Sequence, residues 1–184
     1  MKKLIIVLAF TVIPLLASSQ LTGDGSFASP WSGTLAGDAT WSGTKYIDGD
    51  IIVDNEKLTI SPGAVIIFTS EGADLIITGT GQLEASGTAE NMILFTADDD
   101  NDGNYGESGE RWGHISFENM TTTDPDLYSS AIDYCIIEYG NKNSSPSGTI
   151  ESQGGGLYIE FSYLTISNSI IRNIISIYII VLFI

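Results

Sequence analysis

The 184-residue sequence holds one cysteine, Cys135, and one histidine, His114. A single cysteine excludes an intrachain disulfide, so the fold must be held by packing. The neighbours Ile132, Ile136 and Ile137 predict a buried thiol that packs as a small apolar residue. Nothing marks His114 as its partner, so a Cys–His nucleophile pair is not expected. His114 sits in a strand-like Gly-His-Ile-Ser-Phe run and reads as structural. Basic residues are also scarce: 7 Lys and Arg stand against 23 Asp and Glu, a formal charge of −16. Such a surface repels nucleic acid phosphates and anionic lipid headgroups, so neither partner is expected. It suits cations, above all calcium, which is held by carboxylate oxygens. Solubility outside the cell would explain the same charge without any ligand. Helical periodicity is missing too: from Tyr46 to residue 173 no window of helical length carries an apolar stripe at i, i+3 and i+4.

What is present begins with an export signature. Met1, Lys2 and Lys3 form a basic start, residues 4–16 are apolar except for Thr11, and Ala17, Ser18 and Ser19 are small. That is the order of a secretory signal peptide, which predicts a signal helix over residues 1–19 and cleavage between Ser19 and Gln20. The apolar run has 13 residues, short against the ~20 a spanning helix needs. No stable membrane span is therefore expected in the mature chain, and no cysteine near the cleavage site suggests a lipid anchor. Losing Lys2 and Lys3 takes the formal charge from −16 to −18. The mature part, secreted or held at the cell surface, is long enough for one domain with a real core.

Residues 20–45, rich in Gly, Ser, Thr and Trp, duplicate Trp31-Ser32-Gly33-Thr34 as Trp41-Ser42-Gly43-Thr44, ten residues on. They read as an N-terminal cap whose indoles cover the first end of the core. From Tyr46 onward, β-branched and aromatic runs recur between Gly, Pro, Asn, Asp and Ser. They predict strands at 50–53, 57–60, 65–68, 75–78, 92–95, 114–117, 132–138, 156–159 and 164–171. Strand ends at Ile60, Ile77, Phe95, Phe117, Ile137 and Ile159 are 17, 18, 22, 20 and 22 residues apart. Residues 131–138 match 165–172 in pattern, 34 residues later. A period near 20 with several strands in each period predicts a solenoid, in which stacked repeats bury what one repeat cannot. A β-sandwich is the alternative. Its strands usually alternate apolar and polar residues, whereas Val65-Ile66-Ile67-Phe68 and Met92-Ile93-Leu94-Phe95 are apolar on both faces.

The residues from Gly33 to Trp41, those from Tyr46 to Val53, and Leu58-Thr59-Ile60-Ser61-Pro62-Gly63 together resemble the start of secreted bacterial right-handed parallel β-helix proteins, pectate-lyase-like solenoids. Gly81-Gln82-Leu83-Glu84-Ala85-Ser86-Gly87-Thr88 and Ile93-Leu94-Phe95-Thr96 continue the likeness. So do Arg111-Trp112-Gly113-His114-Ile115 and Gly154-Gly155-Gly156-Leu157-Tyr158-Ile159. The resemblance covers residues 33–173. It implies an all-β, right-handed parallel β-helix of about five to six coils over residues 46–173. It specifies a fold and no chemistry. Residues 174–184 depart from it: this apolar tail carries no charge and no Gly, Pro, Asn or Asp, and its β-propensity has no gatekeeper. The expectation is a truncated or out-of-frame end of a longer protein whose downstream coils are missing; the alternative is a last strand capping the stack.

The sharpest local feature is Asp98, Asp100 and Asp102 at alternate positions, followed by Gly103. This is the first half of an EF-hand-like loop, in which alternate carboxylates converge as the chain curls and glycine permits the sharp turn. Gly109 stands where the bidentate Glu of such a loop belongs, and Glu110 is one residue later. The expected ligand set is Asp98, Asp100, Asp102, Asn104, Glu107 and Glu110, for a structural calcium ion. An exposed acidic turn is the alternative, and no organic cofactor is expected.

The expected function is a non-catalytic extracellular or cell-surface module, a scaffold or adhesin or a glycan-contacting domain with polysaccharide as partner. The alternative is a fragment of a polysaccharide lyase or glycoside hydrolase. The resemblance implies that some enzymes of this fold cleave acidic polysaccharides, with calcium beside an Arg or Lys base, or with paired carboxylates. Only Lys45, Lys57, Arg111, Lys142 and Arg172 remain as bases after cleavage. Arg111 is nearest the acidic loop, with an ordinary strand-edge role as its alternative, and carboxylates are too plentiful to select a pair. No catalytic residue is assigned. Trp31, Trp41, Trp112, Tyr128, Tyr134 and Tyr139 are candidates to stack on sugar rings, or else to cap and fill the core.

Overall fold

Short β-branched runs cut by turn residues become strands because each is too short for a helix and packs best on a pleated surface. The computed structural model describes residues 20–120, 129–141, 155–160, 162–174 and 177–180. The export signature at 1–19, Tyr128, Lys142, Gly154 and most of the apolar tail lie outside the described residues. The strands are β1 (Trp31–Thr34), β2 (Ala39–Trp41), β3 (Thr44–Asp54), β4 (Lys57–Ile60), β5 (Val65–Phe68), β6 (Leu75–Gly79), β7 (Gln82–Ser86) and β8 (Ile93–Ala97). They continue as β9 (Ile115–Met120), β10 (Ser130–Asp133), β11 (Cys135–Glu138), β12 (Leu157–Glu160), β13 (Leu164–Ser167), β14 (Ile170–Arg172) and β15 (Ile177–Ile180). Among the described residues there is no α-helix, only a 3-10 turn at Glu107–Gly109.

All pairings between these strands are parallel. This disposes of an antiparallel sandwich. The pairings build three stacks. The first holds β2, β4, β7, β10 and β13 in that order. The second holds the first half of β3, then β5, β8, β11 and β14. The third holds β1, the second half of β3, then β6, β9, β12 and β15. From β2 to β15 the chain visits first, second and third stack in unbroken rotation. The long β3 serves two stacks in one pass, so these merge into a 10-stranded sheet beside the 5-stranded one.

Alternation along each strand sends one set of side chains inward, and register aligns them. In the third stack Val53, Ile77, Phe117 and Ile159 form one column, and Ile51, Leu75, Ile115 and Leu157 another. All are buried, each contributing about 1.5–3 kcal/mol of hydrophobic stabilisation. The first stack carries the buried Ile60, Ala85 and Ile132, with the exposed Ile166 in register beyond them. Trp41 is buried above Ile60 and packs against Trp31, with ring centroids 4.8 Å apart.

The expected period near 20 needs correction. Its marker residues fall in different stacks: Ile60 in the first, Phe95 and Ile137 in the second, Ile77, Phe117 and Ile159 in the third. Within the third stack, successive partners Val53, Ile77 and Phe117 are 24 and 40 residues apart, because loops of unequal length are inserted at the corners. The 34-residue match is a true register. Ala131 pairs with Thr165 and Ile137 with Ile171, and the corners repeat as well. Tyr134 and Asn168 have φ of 48° and 47°, and Tyr139 and Asn173 have φ of 62° and 55°. A single left-handed residue makes each bend, and asparagine takes that conformation more readily than tyrosine.

Cys135 is buried, as its neighbours predict. Desolvation pushes its thiol up to about 12, and Sγ donates to the Ala85 carbonyl at 3.3 Å. The thiolate is the reactive form. Iodoacetamide at pH 8 is therefore expected to leave the native protein unlabelled while labelling the urea-unfolded chain fully, as read by intact mass. Equal labelling in both states would overturn this.

Candidate metal centre

The acidic segment is a loop between β8 and β9 whose two ends rest on one residue, Phe68. At the outgoing end, the Asp98 N–H donates to the Phe68 carbonyl at 3.2 Å. At the return, the Trp112 ring stacks on Phe68, with centroids 4.0 Å apart and planes 9° from parallel. The Trp112 indole N–H donates to the Glu138 carbonyl at 2.7 Å. Between these anchors Gly106 N–H donates to the Ala97 carbonyl at 3.0 Å. Gly106 has φ of 69° and faces the Tyr139 ring so closely that a Cβ would lie 2.3 Å from it. No other residue fits there. Tyr46 holds the tip, its hydroxyl donating to Asn101 Oδ1 at 2.6 Å.

Inside the loop, short side chains turn the backbone on itself. Asp100 Oδ1 accepts the Asp102 N–H at 3.1 Å, and Asp102 Oδ1 accepts the Asn104 N–H at 2.8 Å. Asp98 Oδ2 accepts the Gly103 N–H at 3.1 Å. Asn101 and Gly103 take positive φ of 60° and 86°. The curl gathers Asp98, Asp100 and Asp102 so that an oxygen from each lies within 4.8 Å of the others. A second group of the same span comprises Asp99, Asp100 and Glu110.

Two carboxylate oxygens in these groups are bare. Asp98 is 1% exposed and its Oδ1 has no hydrogen-bond partner. Glu110 is 8% exposed; its Oε1 accepts the Asp99 N–H at 3.0 Å, and its Oε2 has no partner. Buried polar atoms are almost always paired, and a buried charge needs a counter-charge. None of the ion pairs among the described residues involves the six carboxylates of the loop. The adjacent cation, Arg111, donates instead to the carbonyls of Gly106 and Glu110 and lies over the Tyr139 ring at 5.3 Å. The repulsion shows in the titration of the loop. Repulsion by Asp102, then the hydrogen bond shared with it, raises Glu107 above the usual carboxylate range. Burial raises Glu110; the Asp99 backbone N–H works against this, and the Asp99 and Asp98 carboxylates add to it. The Asn104 backbone N–H holds Asp102 below its ordinary value.

The donor set fits a hard cation. Calcium binds oxygens at roughly 2.3–2.6 Å, so two ligands of one ion are at most about 5 Å apart, the span of each group. Asp98, Asp100 and Asp102 come together as the alternate spacing predicts. Glu110 joins Asp99 and Asp100 instead. Glu107 meets Asp102 but belongs to neither group, and Asn104 spends its amide N–H on Asp102 Oδ2 at 2.9 Å. Asp99 was not anticipated, because a period-two reading turns it away from its neighbours.

The other candidates have structural surroundings. Arg111 is engaged as described. His114 is 6% exposed, 3.9 Å from the Asp74 carboxylate and stacked near Tyr158 at 5.9 Å. Trp41 and Trp112 are buried, which removes them as sugar platforms; Tyr139 lies under Arg111, Trp31 carries Lys45 over its ring at 5.4 Å, and Tyr134 is half-buried. Comparison of the chain with protein-family models, curated proteins and solved structures found no match.

Proposed function

We propose that the chain is an exported right-handed parallel β-helix module whose acidic loop binds a structural calcium ion, and that it works as a non-catalytic extracellular or cell-surface scaffold. The unbroken rotation through three parallel stacks supports the β-helix reading, and residues 1–19 support export. The observation that carries the calcium reading is the bare, buried Asp98 Oδ1 beside Asp100 and Asp102. A carboxylate taken out of water costs several kcal/mol unless it is compensated, and a divalent cation supplies that compensation. Calcium suits the site better than zinc, which favours nitrogen and sulfur, or magnesium, which demands near-ideal octahedral geometry. Extracellular calcium modules bind at about 10⁻⁴–10⁻³ M, so the ion would stiffen the loop only after export. The scaffold reading is favoured over glycan contact because Trp41 and Trp112 are packed inward.

Calorimetric titration of the secreted protein with calcium should give binding heat that vanishes in the Asp100→Ala/Asp102→Ala double variant. No heat from the parent ends the calcium claim. The pH dependence has a definite sign. Glu107 and Glu110 have raised folded values, so these two carboxyls bind more protons in the folded than in the unfolded chain between the unfolded and folded values. Without calcium, their contribution to stability therefore falls as pH rises through that window. Calcium competes with those same protons. The difference in melting temperature with and without calcium should accordingly widen from pH 4 to pH 7. A constant difference would contradict the role of these carboxylates.

A further inference from the structure

We propose that the loop takes two divalent cations that share Asp100, one held with Asp98 and Asp102 and the other with Asp99 and Glu110. This rests on the calcium reading above and goes beyond it in stoichiometry and in the residues used. The oxygens fall into two groups, each spanning no more than 4.8 Å, and Asp100 is the member common to both. Each group has its own buried carboxylate with a bare oxygen: Asp98 Oδ1 in one, Glu110 Oε2 in the other. One ion seated against Asp98 leaves the Glu110 oxygen as unsatisfied as before. An ionised carboxylate offers two oxygens and about four lone-pair sites, so Asp100 can serve two ions even though its Oδ1 also accepts the Asp102 N–H. Charge favours the second ion as well. Asp98, Asp99, Asp100, Asp102, Glu107 and Glu110 bring six negative charges into thirteen residues, and one divalent cation neutralises two of them.

The test is a count. Calorimetry with calcium chloride on the full secreted protein at pH 7.5, checked by equilibrium dialysis, should give two ions per chain. Glu110→Gln should reduce the count to one by removing the second position. Asp102→Asn should also leave one, and Asp100→Asn should abolish both or weaken each at least tenfold. Circular dichroism establishes that each variant is folded; if Glu110→Gln is not, Asp99→Asn replaces it as the probe of the second position. One ion per chain in the parent overturns this inference and leaves the single-ion reading standing. No binding at all overturns both. Two ions in the parent that persist in a folded Glu110→Gln and a folded Asp99→Asn overturn the assignment of the second position.

Discussion

Trp112→Ala should lower the stability of the folded protein by about 3–5 kcal/mol, the range for removing a large aromatic side chain from a packed core. Trp112 has no exposed surface. Its ring lies flat on Phe68, and its indole N–H is the donor to the Glu138 carbonyl. Alanine leaves a cavity against Phe68 and strands that carbonyl together. Trp112→Phe separates the two losses: it keeps most of the stack and gives up the N–H, which should cost about 1–3 kcal/mol. Urea denaturation provides the measurement, through a lower midpoint at unchanged slope for both variants. A second readout ties the residue to the site. The Phe68 carbonyl accepts the Asp98 N–H and the Phe68 ring carries the Trp112 ring, so losing the indole frees one anchor of the acidic loop. Calcium affinity should fall at least tenfold in the alanine variant under conditions where it is still folded. A stability loss below about 1 kcal/mol would mean that the Phe68–Trp112 stack is not a core contact.

The strands were mostly legible in the sequence; their assembly was legible only in part. Residues 57–60 and 65–68 form the expected strands β4 and β5, because their β-branched runs end in plain turn chemistry. β7 escaped notice as a strand because Gln82, Glu84 and Ser86 face outward and only Leu83 and Ala85 are fully buried. A half-polar pentapeptide gives little signal. The expected strand at 132–138 is two strands, β10 and β11, bent at Tyr134 with φ of 48°; a tyrosine does not announce a corner. In the matching stretch 34 residues later the same bend falls on Asn168, where turn chemistry does show. Spacing misled where loops intervene: one loop of unequal length erases any fixed period, and only the stretch joined without insertion keeps its step. The site divides the same way. Alternate aspartates followed by glycine predicted that Asp98, Asp100 and Asp102 converge. That Asp99 and Glu110 form a second group depends on the left-handed turn at Asn101 and on the depth at which Trp112 fixes the returning chain, and neither is written in local spacing.

Asp98→Asn should change the protein in opposite directions according to whether calcium is present. Without calcium the parent keeps an ionisable carboxylate 1% exposed, with Oδ1 unpartnered and the carboxylates of Asp100 and Asp102 within 4.8 Å. Asparagine is nearly isosteric. Its carbonyl oxygen can still accept the Gly103 N–H now bound to Oδ2, and its amide brings donors to face two carboxylates. Replacing an unpartnered buried acceptor by a donor should raise stability by about 1–2 kcal/mol. With calcium at a hundred times its dissociation constant, the parent should gain about 2.7 kcal/mol from one ion. The variant loses the only buried ligand of that position and should gain nothing from it, so the order of stabilities reverses. Net charge alone does not give this reversal. Asp48 is exposed and remote in sequence from the loop, and Asp48→Asn relieves the same overall repulsion in a chain of formal charge −16. It should shift stability by less than about 0.5 kcal/mol and leave the calcium response intact. Thermal unfolding of the three proteins in EGTA and in excess calcium reads all of these differences. If Asp98→Asn is less stable than the parent in EGTA, the bare Oδ1 is not a charge awaiting a cation, and the calcium reading loses its main support.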